Sequence, residues 1–370
     1  MLKKIKTKIK DIFRIPYLEF YFSKPFGLDI SDYSIEIVSL EGLKDNPKLL
    51  ALGREILPPG VIEEGRILNK ENLEVALKNL ISHPQFGKIK TKKIIFSLPE
   101  SKSFFHIFEP PKGLKKSEIT DFIKSQVCQI FPFSLEEIYF DYQMKENFIL
   151  LAAIPKEIVN GYLEIFKICK LSPLVLETES MAWQRLFGEK EKTILICDLG
   201  AKTTNLVLFE EGELKLSFSM EIAGNKFTRV ISDKLKIPLE KAEEIKKKIG
   251  LNPEKEGGRI FLILQKEVLE IVEEIRKIEN YFGQKTGKEI EKIILIGGSS
   301  LLPYLKEYLS ENLEKKVLVG DPFQKIKTGI LKEALKIEPI FYSTAVGLTL
   351  RGLEKNPKIA GINLLKEVKL

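Results

Sequence analysis

Two stretches of this 370-residue chain follow one plan that few folds can accommodate. Phe26-Gly27-Leu28-Asp29-Ile30-Ser31, a polar turn, then Ile35-Glu36-Ile37-Val38-Ser39-Leu40 read as strand, tight turn and strand, with an acidic residue near the end of the first strand. Thr193-Ile194-Leu195-Ile196-Cys197-Asp198-Leu199-Gly200, continued by Thr203-Thr204-Asn205-Leu206-Val207-Leu208-Phe209, repeats it. The two aspartates stand 169 positions apart, a spacing that predicts two related halves facing each other. The length likewise favours two domains or two lobes over one small module.

Between the hairpins, Asn69 precedes Leu73, Leu77, Leu80 and Ile81, a capped amphipathic helix. Lys92–Pro99 opens a block that mixes strands (Phe104–Phe108, Tyr139–Tyr142, Phe148–Ile154) with helices (Ser117–Ile130, Pro155–Cys169), a compact α+β insertion. After the second hairpin come helices over Lys226–Leu235, Leu239–Ile249 and Arg259–Phe282. The strand Lys292–Ile296 then leads through Gly297-Gly298-Ser299-Ser300 into a helix over Pro303–Leu309.

A composition of 44% hydrophobic and 30% charged residues excludes a disordered chain. Its apolar runs stop well short of the roughly 18 residues of a membrane-spanning helix. Cys128, Cys169 and Cys197 are odd in number and far apart, so neither a disulfide framework nor a zinc knuckle is expected, and a reducing cytoplasm fits. His83 and His106 are too few for a histidine-rich metal centre. Met1–Lys24 holds seven basic residues against Asp11 and Glu19, a net +5 of the chain's +7, so the body is nearly neutral and no nucleic-acid surface is indicated. Leu2, Ile5, Ile9, Ile12 and Phe13 give that segment an apolar face. It reads as a basic amphipathic helix for an anionic membrane surface, or as an extension packed on the body.

Each hairpin sets a carboxylate beside exposed backbone N–H groups, an arrangement that can hold phosphate oxygens directly and Mg²⁺ through water. Two facing copies would clamp a triphosphate. The glycines at 297 and 298 let backbone approach a ligand closely, although a Gly-Gly after a strand is also an ordinary packing turn. Gly283–Glu289 has only three residues between its glycines and no Ser/Thr after Lys288, so it fails the P-loop spacing and reads as a helix-ending turn. Lys246-Lys247-Lys248 reads as a helix with a solvated outer face.

The order of these segments resembles the actin-like ATPase superfamily and, within it, the PilM family of type IV pilus assembly proteins. The matching residues are Phe26–Ser34, Asp198–Asn205, Leu295–Ser300, Ser97-Leu98-Pro99, Ile130–Phe133, Ala242-Glu243 with Lys246, and Ala345–Gly352. FtsA, a divisome protein, is the nearest rival. The resemblance implies an α/β, actin-like (ribonuclease H-like) bilobed fold with an inserted α+β subdomain. Its parts would be a basic segment (1–24), a first lobe core (25–91, 177–190, 338–370), the insertion (92–176), a second lobe core (191–222, 290–337) and a helical nucleotide-side subdomain (223–289). It also implies ATP or ADP with Mg²⁺: Asp29 and Asp198 near the metal, Ser31, Ser34, Gly200, Lys202, Thr203 and Thr204 on the phosphate side, Glu243 and Lys246 at the ribose and purine, and Gly297, Gly298 and Ser299 bordering the adenosine.

Departures accompany the match. Ser31 replaces a glycine, Asp32 a phosphate-binding hydroxyl and Glu36 a phosphate-binding lysine. Added negative charge opposes a polyanion unless something compensates, which argues against efficient hydrolysis; Lys202 is one compensating candidate, although a lone lysine is more often solvated. The tail Ile362-Asn363-Leu364-Leu365 looks like the motif at the cytoplasmic N-terminus of PilN, the membrane partner of PilM. It could fill a peptide groove in cis or from a neighbouring molecule, or simply pack. The expected function is a cytoplasmic scaffold, peripheral to the inner membrane face, that binds a PilN-like peptide alongside platform proteins and the assembly ATPase. Nucleotide would act as a conformational ligand. An active ATPase, a small-molecule kinase and an FtsA-like membrane tether are the alternatives.

Overall fold

The computed structural model describes residues 23–366 apart from 112, 114, 116 and 330–336. The basic segment expected at 1–24 therefore lies almost wholly outside the described residues. Among those described, no helix is long and apolar enough to cross a membrane.

The predicted hairpins are strands β1 (Phe26–Ile30) and β2 (Ser34–Leu43) in the first half, and β12 (Thr193–Leu199) and β13 (Thr204–Glu210) in the second. β3 (Asn46–Ile56) extends the first hairpin. A two-residue ribbon of β4 (Ile62–Glu63) and β5 (Arg66–Ile67) follows, then helix α1 (Lys70–Ser82), capped by Asn69, whose side chain accepts from Asn72 N–H, and β6 (Phe86–Gly87). β7 (Lys93–Leu98) pairs parallel to β1, and β11 (Ser172–Thr178) parallel to β7. β14 (Glu213–Met220) extends the second hairpin, while β15 (Lys292–Ile296) and β16 (Lys316–Val319) add parallel strands beyond β12.

The sheets therefore read β11-β7-β1-β2-β3-β6 and β14-β13-β12-β15-β16. From meander edge to parallel edge they share one order, and only β6 breaks the correspondence. The two related halves expected from the repeated hairpin are thus present as two sheets of one topology. β1, β7, β12 and β15 are almost entirely buried, as strands covered on both faces must be, and their sequences are accordingly near-continuous apolar runs.

The insertion is narrower than its sequence boundaries suggest. Its own sheet is β8 (Phe104–Phe108), β10 (Ile149–Pro155) and β9 (Ile138–Met144), covered by α2 (Ile119–Ile130). β7 and β11, read with the insertion, belong to the first sheet instead: the buried run of β7 is covered on both faces, and β11 pairs parallel to it at the sheet edge. The capping signal at Ser117 is not used: Glu118 is the N-cap, and its carboxylate accepts from Lys115 N–H.

Helix α3 (Lys156–Ile168) packs on the first sheet and α4 (Glu179–Phe187) carries the chain to the second lobe. There α5 (Gly224–Leu235), α6 (Leu239–Ile249) and α7 (Arg259–Thr286) form the helical side, α7 burying Leu264, Val268, Ile271, Ile275 and Phe282 along one stripe. Gly287, at φ +70°, ends α7, as read for the Gly283–Glu289 segment. The expected helix at Pro303 starts later, as α8 (Leu305–Leu313), and Gly298–Leu301 is a separate 3₁₀ turn. Finally α9 (Ser343–Gly352) returns to the first sheet, and one core cluster runs from Phe26 and Phe96 through Trp183 to Ile196 and Phe209, joining the lobes.

Candidate functional site

The two hairpin tips meet. Lys202 Nζ, in the turn between β12 and β13, lies 3.1 Å from Asp32 Oδ2, in the turn between β1 and β2. Behind the tips, Asp29 and Asp198 come near enough for the charge on Asp29 to raise the pKa of Asp198. Burial, opposed by a hydrogen bond from Ser97, pushes Asp29 up to about 6; burial, opposed by a hydrogen bond from Asn205, pushes Asp198 up to about 7.

The first hairpin places its side chains by register. Asp29 faces Glu36 across β1 and β2, and Glu36 faces Arg54 across β2 and β3, so the three form one row on one face of the sheet. Ser97 Oγ joins the row by donating to Asp29 Oδ1 at 2.6 Å. Arg54 Nε donates to Glu36 Oε1 at 2.7 Å, and its guanidinium stacks 3.7 Å from the centroid of the Phe341 ring. Burial first, then repulsion by Asp29, raises Glu36 to about 7 despite Arg54. The compensating cation for the acidic departure at position 36 is thus Arg54 on the neighbouring strand.

Asp32, the second departure, is turned toward the β4–β5 turn. Its carboxylate accepts from Glu64 N–H at 2.7 Å and Gly65 N–H at 2.9 Å, holding the β4–β5 turn. Lys202 adds a third partner and is not the solvated lysine that its isolation in sequence suggests. Ser31 closes its own turn: Tyr33 and Ser34 N–H both donate to its Oγ. Ser34 Oγ accepts from Arg54 Nη2 at 3.4 Å.

In the second hairpin, Gly200 N–H donates to Thr203 O, and the buried Thr204 donates its Oγ1 to Ile222 O. Gly200 O is a junction that accepts from Gly224 N–H and from Ser299 Oγ at 2.8 Å. Gly297 is required: at φ +78°, a Cβ there would stand 2.5 Å from both Asp198 Oδ1 and Leu199 O. A Cβ on Gly298 would stand 2.9 Å from Phe341, which therefore lies between Arg54 of one lobe and the Gly297-Gly298 turn of the other.

Glu243 and Lys246 share one face of α6 and pair at 2.6 Å. Lys246 is buried and also donates to Gly224 O and Thr228 Oγ1, so it stands on the inward side of the helix while Lys247 stays exposed. The structure thus brings Gly200, Gly224, Thr228, Glu243, Lys246 and Ser299 together beside the second hairpin.

Two further carboxylates carry no sequence signal of their own. Glu179, at the start of α4, is raised well above its ordinary range by burial and then by the charges of Asp29, Asp198 and Glu100. Glu100 accepts from Ser217 Oγ at 2.6 Å and Ser180 N–H at 3.0 Å, tying the base of the insertion to both lobes. Among the described residues no group of three acidic, histidine or cysteine side chains is placed to hold a metal directly. A divalent cation at Asp29 and Asp198 would meet two carboxylates and would have to keep several of its waters, as Mg²⁺ does.

A sequence profile of the family described as type IV pilus assembly protein PilM matches residues 27–353. Among curated proteins, cell division protein FtsA of Pseudomonas aeruginosa is 28% identical across 50% of this chain and 48% of its own length. FtsA of Neisseria meningitidis serogroup B is 27% identical across 45% and 44%. The chain thus spans about half the length of these curated relatives or less. Among solved structures, a chain of the PilM-PilN type IV pilus biogenesis complex superposes with a TM-score of 0.77 at 24% identity, covering 90% of this chain and 99% of that one. MreB5 of Spiroplasma citri bound to ADP superposes at 0.51 with 14% identity, over 88% and 95%. Both share the fold, which is that of the actin-like ATPases.

Proposed function

We propose that this chain, which belongs to the PilM family of type IV pilus assembly proteins, is a two-lobed scaffold of the pilus assembly platform. It binds ATP or ADP with Mg²⁺ between the hairpins, and an extended N-terminal peptide of PilN docks on it. The observation that carries this reading is the meeting of the hairpin tips through Lys202 and Asp32, with Asp29 and Asp198 behind them.

Mg²⁺ held through water at Asp29 and Asp198 would neutralise the buried carboxylates and the phosphates together. Thr203 offers backbone to phosphate in a turn that Gly200 closes with its own N–H and carbonyl, Lys202 and Arg54 supply positive charge, and Glu243, Lys246, Gly297, Gly298 and Ser299 border the nucleoside. Ser31, Ser34 and Thr204 act as turn-closing groups more than as direct ligands, since their hydroxyls are already engaged. The MreB5 structure was determined with ADP on this fold, which supports the class of ligand. Nucleotide closes the lobes and shifts the population that receives the partner peptide, and turnover is not needed for that. The scaffold works in the cytoplasm at the inner face of the membrane, alongside other platform proteins and the assembly ATPase.

Calorimetric titration of a PilN N-terminal peptide, with and without Mg-ATP, tests this. The expected result is peptide binding whose affinity changes with Mg-ATP in the parent and does not change in Asp198→Ala. Peptide affinity indifferent to nucleotide would refute the conformational role, and steady ATP turnover abolished by Asp198→Ala would refute the scaffold in favour of an enzyme.

A further inference from the structure

The tail after α9 is bound as a ligand would be. Ile362, Asn363, Leu364 and Leu365 are all buried, although they follow an exposed loop in which Ile359 is 71% accessible. They lie along β11, the edge strand of the first sheet, yet only one backbone hydrogen bond joins them to it, from Leu364 N–H to Leu176 O at 2.8 Å. Asn363 makes the rest of that contact with its side chain: Oδ1 accepts from Leu176 N–H at 3.1 Å, and Nδ2 donates to Leu174 O at 3.4 Å.

The far wall of the groove is β9 of the insertion. There the buried Asp141 accepts from Asn363 N–H and from Lys366 Nζ, both at 2.7 Å. At the near end, Arg351 is 1% accessible, paired with the fully buried Glu177, and donates to the carbonyls of Ile362 at 2.6 Å and Gly361 at 3.1 Å. The groove therefore demands main-chain carbonyls for Arg351, a main-chain N–H for Asp141 and an amide side chain for the β11 edge, flanked by apolar sites that join the main core. An apolar plug would leave N–H donors of Arg351 and the buried carboxylate of Asp141 without partners; an extended peptide satisfies both.

We infer that Gly361–Lys366 is a self-supplied peptide that fills, in cis, a groove between β9 and β11 built for extended apolar-Asn-Leu-Leu segments, so that a partner's segment enters only by displacing it. As a brake on partner docking this rests on the proposed function, but the groove's own specificity does not. A tethered competitor acts at an effective concentration on the order of mM and lowers the apparent affinity of a free peptide by the ratio of that concentration to its own Kd, here about tenfold or more.

The test is made on the full chain carrying a specific protease site in the exposed 354–359 loop. A fluorescent peptide spanning 361–370 is titrated by anisotropy into cut and uncut protein, with a thermal melt of each. The expected result is a cut protein that stays folded, exchanges its tail for the labelled peptide at least about tenfold more tightly than the uncut protein, and binds the Asn363→Ala peptide about tenfold more weakly. Equal uptake by cut and uncut protein, indifference to Asn363→Ala, loss of the fold on cutting, or dimers formed by tail exchange in the uncut protein would each overturn the inference. The chain's own peptide reports on the groove alone. If it binds the cut protein while a PilN N-terminal peptide does not, the groove stands and the partner reading falls.

Discussion

Replacing Glu36 by Gln isolates the electrostatic strain of the Asp29–Glu36–Arg54 row. Glu36 is 3% accessible, and its pKa lies at about 7 against an ordinary 4.5. Below 4.5 the group is protonated in both folded and unfolded chains and costs nothing. As the pH rises the unfolded chain ionises first, so the folded state binds more protons, and stability falls until the pH passes the folded pKa. The displacement is worth about 3 kcal/mol in full, of which about 1 kcal/mol is felt at pH 5 and nearly all of it at pH 8. Gln keeps the acceptor that Arg54 Nε uses and removes the charge that faces Asp29. Glu36→Gln should therefore raise stability by about 2 kcal/mol more at pH 8 than at pH 5, read from urea denaturation without nucleotide. A difference that does not change with pH, or a variant less stable than the parent at pH 8, would refute the account of the Asp29–Glu36–Arg54 row.

Gly297→Ala puts a methyl group against Asp198 Oδ1 in a left-handed backbone conformation, and should cost about 1–3 kcal/mol of stability in thermal melts along with ATP binding. Lys202→Ala removes a half-exposed ion pair and should change stability by less than about 1 kcal/mol while weakening Mg-ATP severalfold in titration calorimetry; an unchanged affinity would take Lys202 out of the site. Arg351→Ala leaves Glu177 buried without that cation and frees two tail carbonyls, for an expected loss of about 3–5 kcal/mol in urea denaturation. A cost near zero there would mean that Arg185, the other partner of Glu177, suffices alone.

The repeated hairpin is legible in the sequence because buried parallel strands write themselves as apolar runs, and because an aspartate near a strand end interrupts such a run visibly. Arg54 is not legible. Counting back from the Leu43–Asn46 end of the β2–β3 hairpin pairs Glu36 with Gly53, and only the bulge between Ser39 and Leu40 moves Arg54 opposite it. Glu100 and Glu179 carry no motif, since their placement comes from the packing of α4 between the sheets rather than from local pattern. Lys246 is hard to place from sequence, because three consecutive lysines spread their charge around the helix and leave its inward side unmarked; the contact with Gly224 puts it on that inward side. The strand at Lys93–Leu98 is ambiguous for a related reason, as an apolar run states that it is covered but not by what.

The tip of the first hairpin is fastened on two sides. Asp32 grips Lys202 of the opposite lobe and, with the same carboxylate, the amides of Glu64 and Gly65. Glu64 in turn holds Lys102 at 2.8 Å, just where the chain leaves β7 for the insertion. Any rotation of one lobe against the other therefore pulls on a short linkage of four residues that ends at the root of the inserted subdomain. A change of lobe angle would thus be passed to the insertion as a displacement of this linkage, without any helix unwinding.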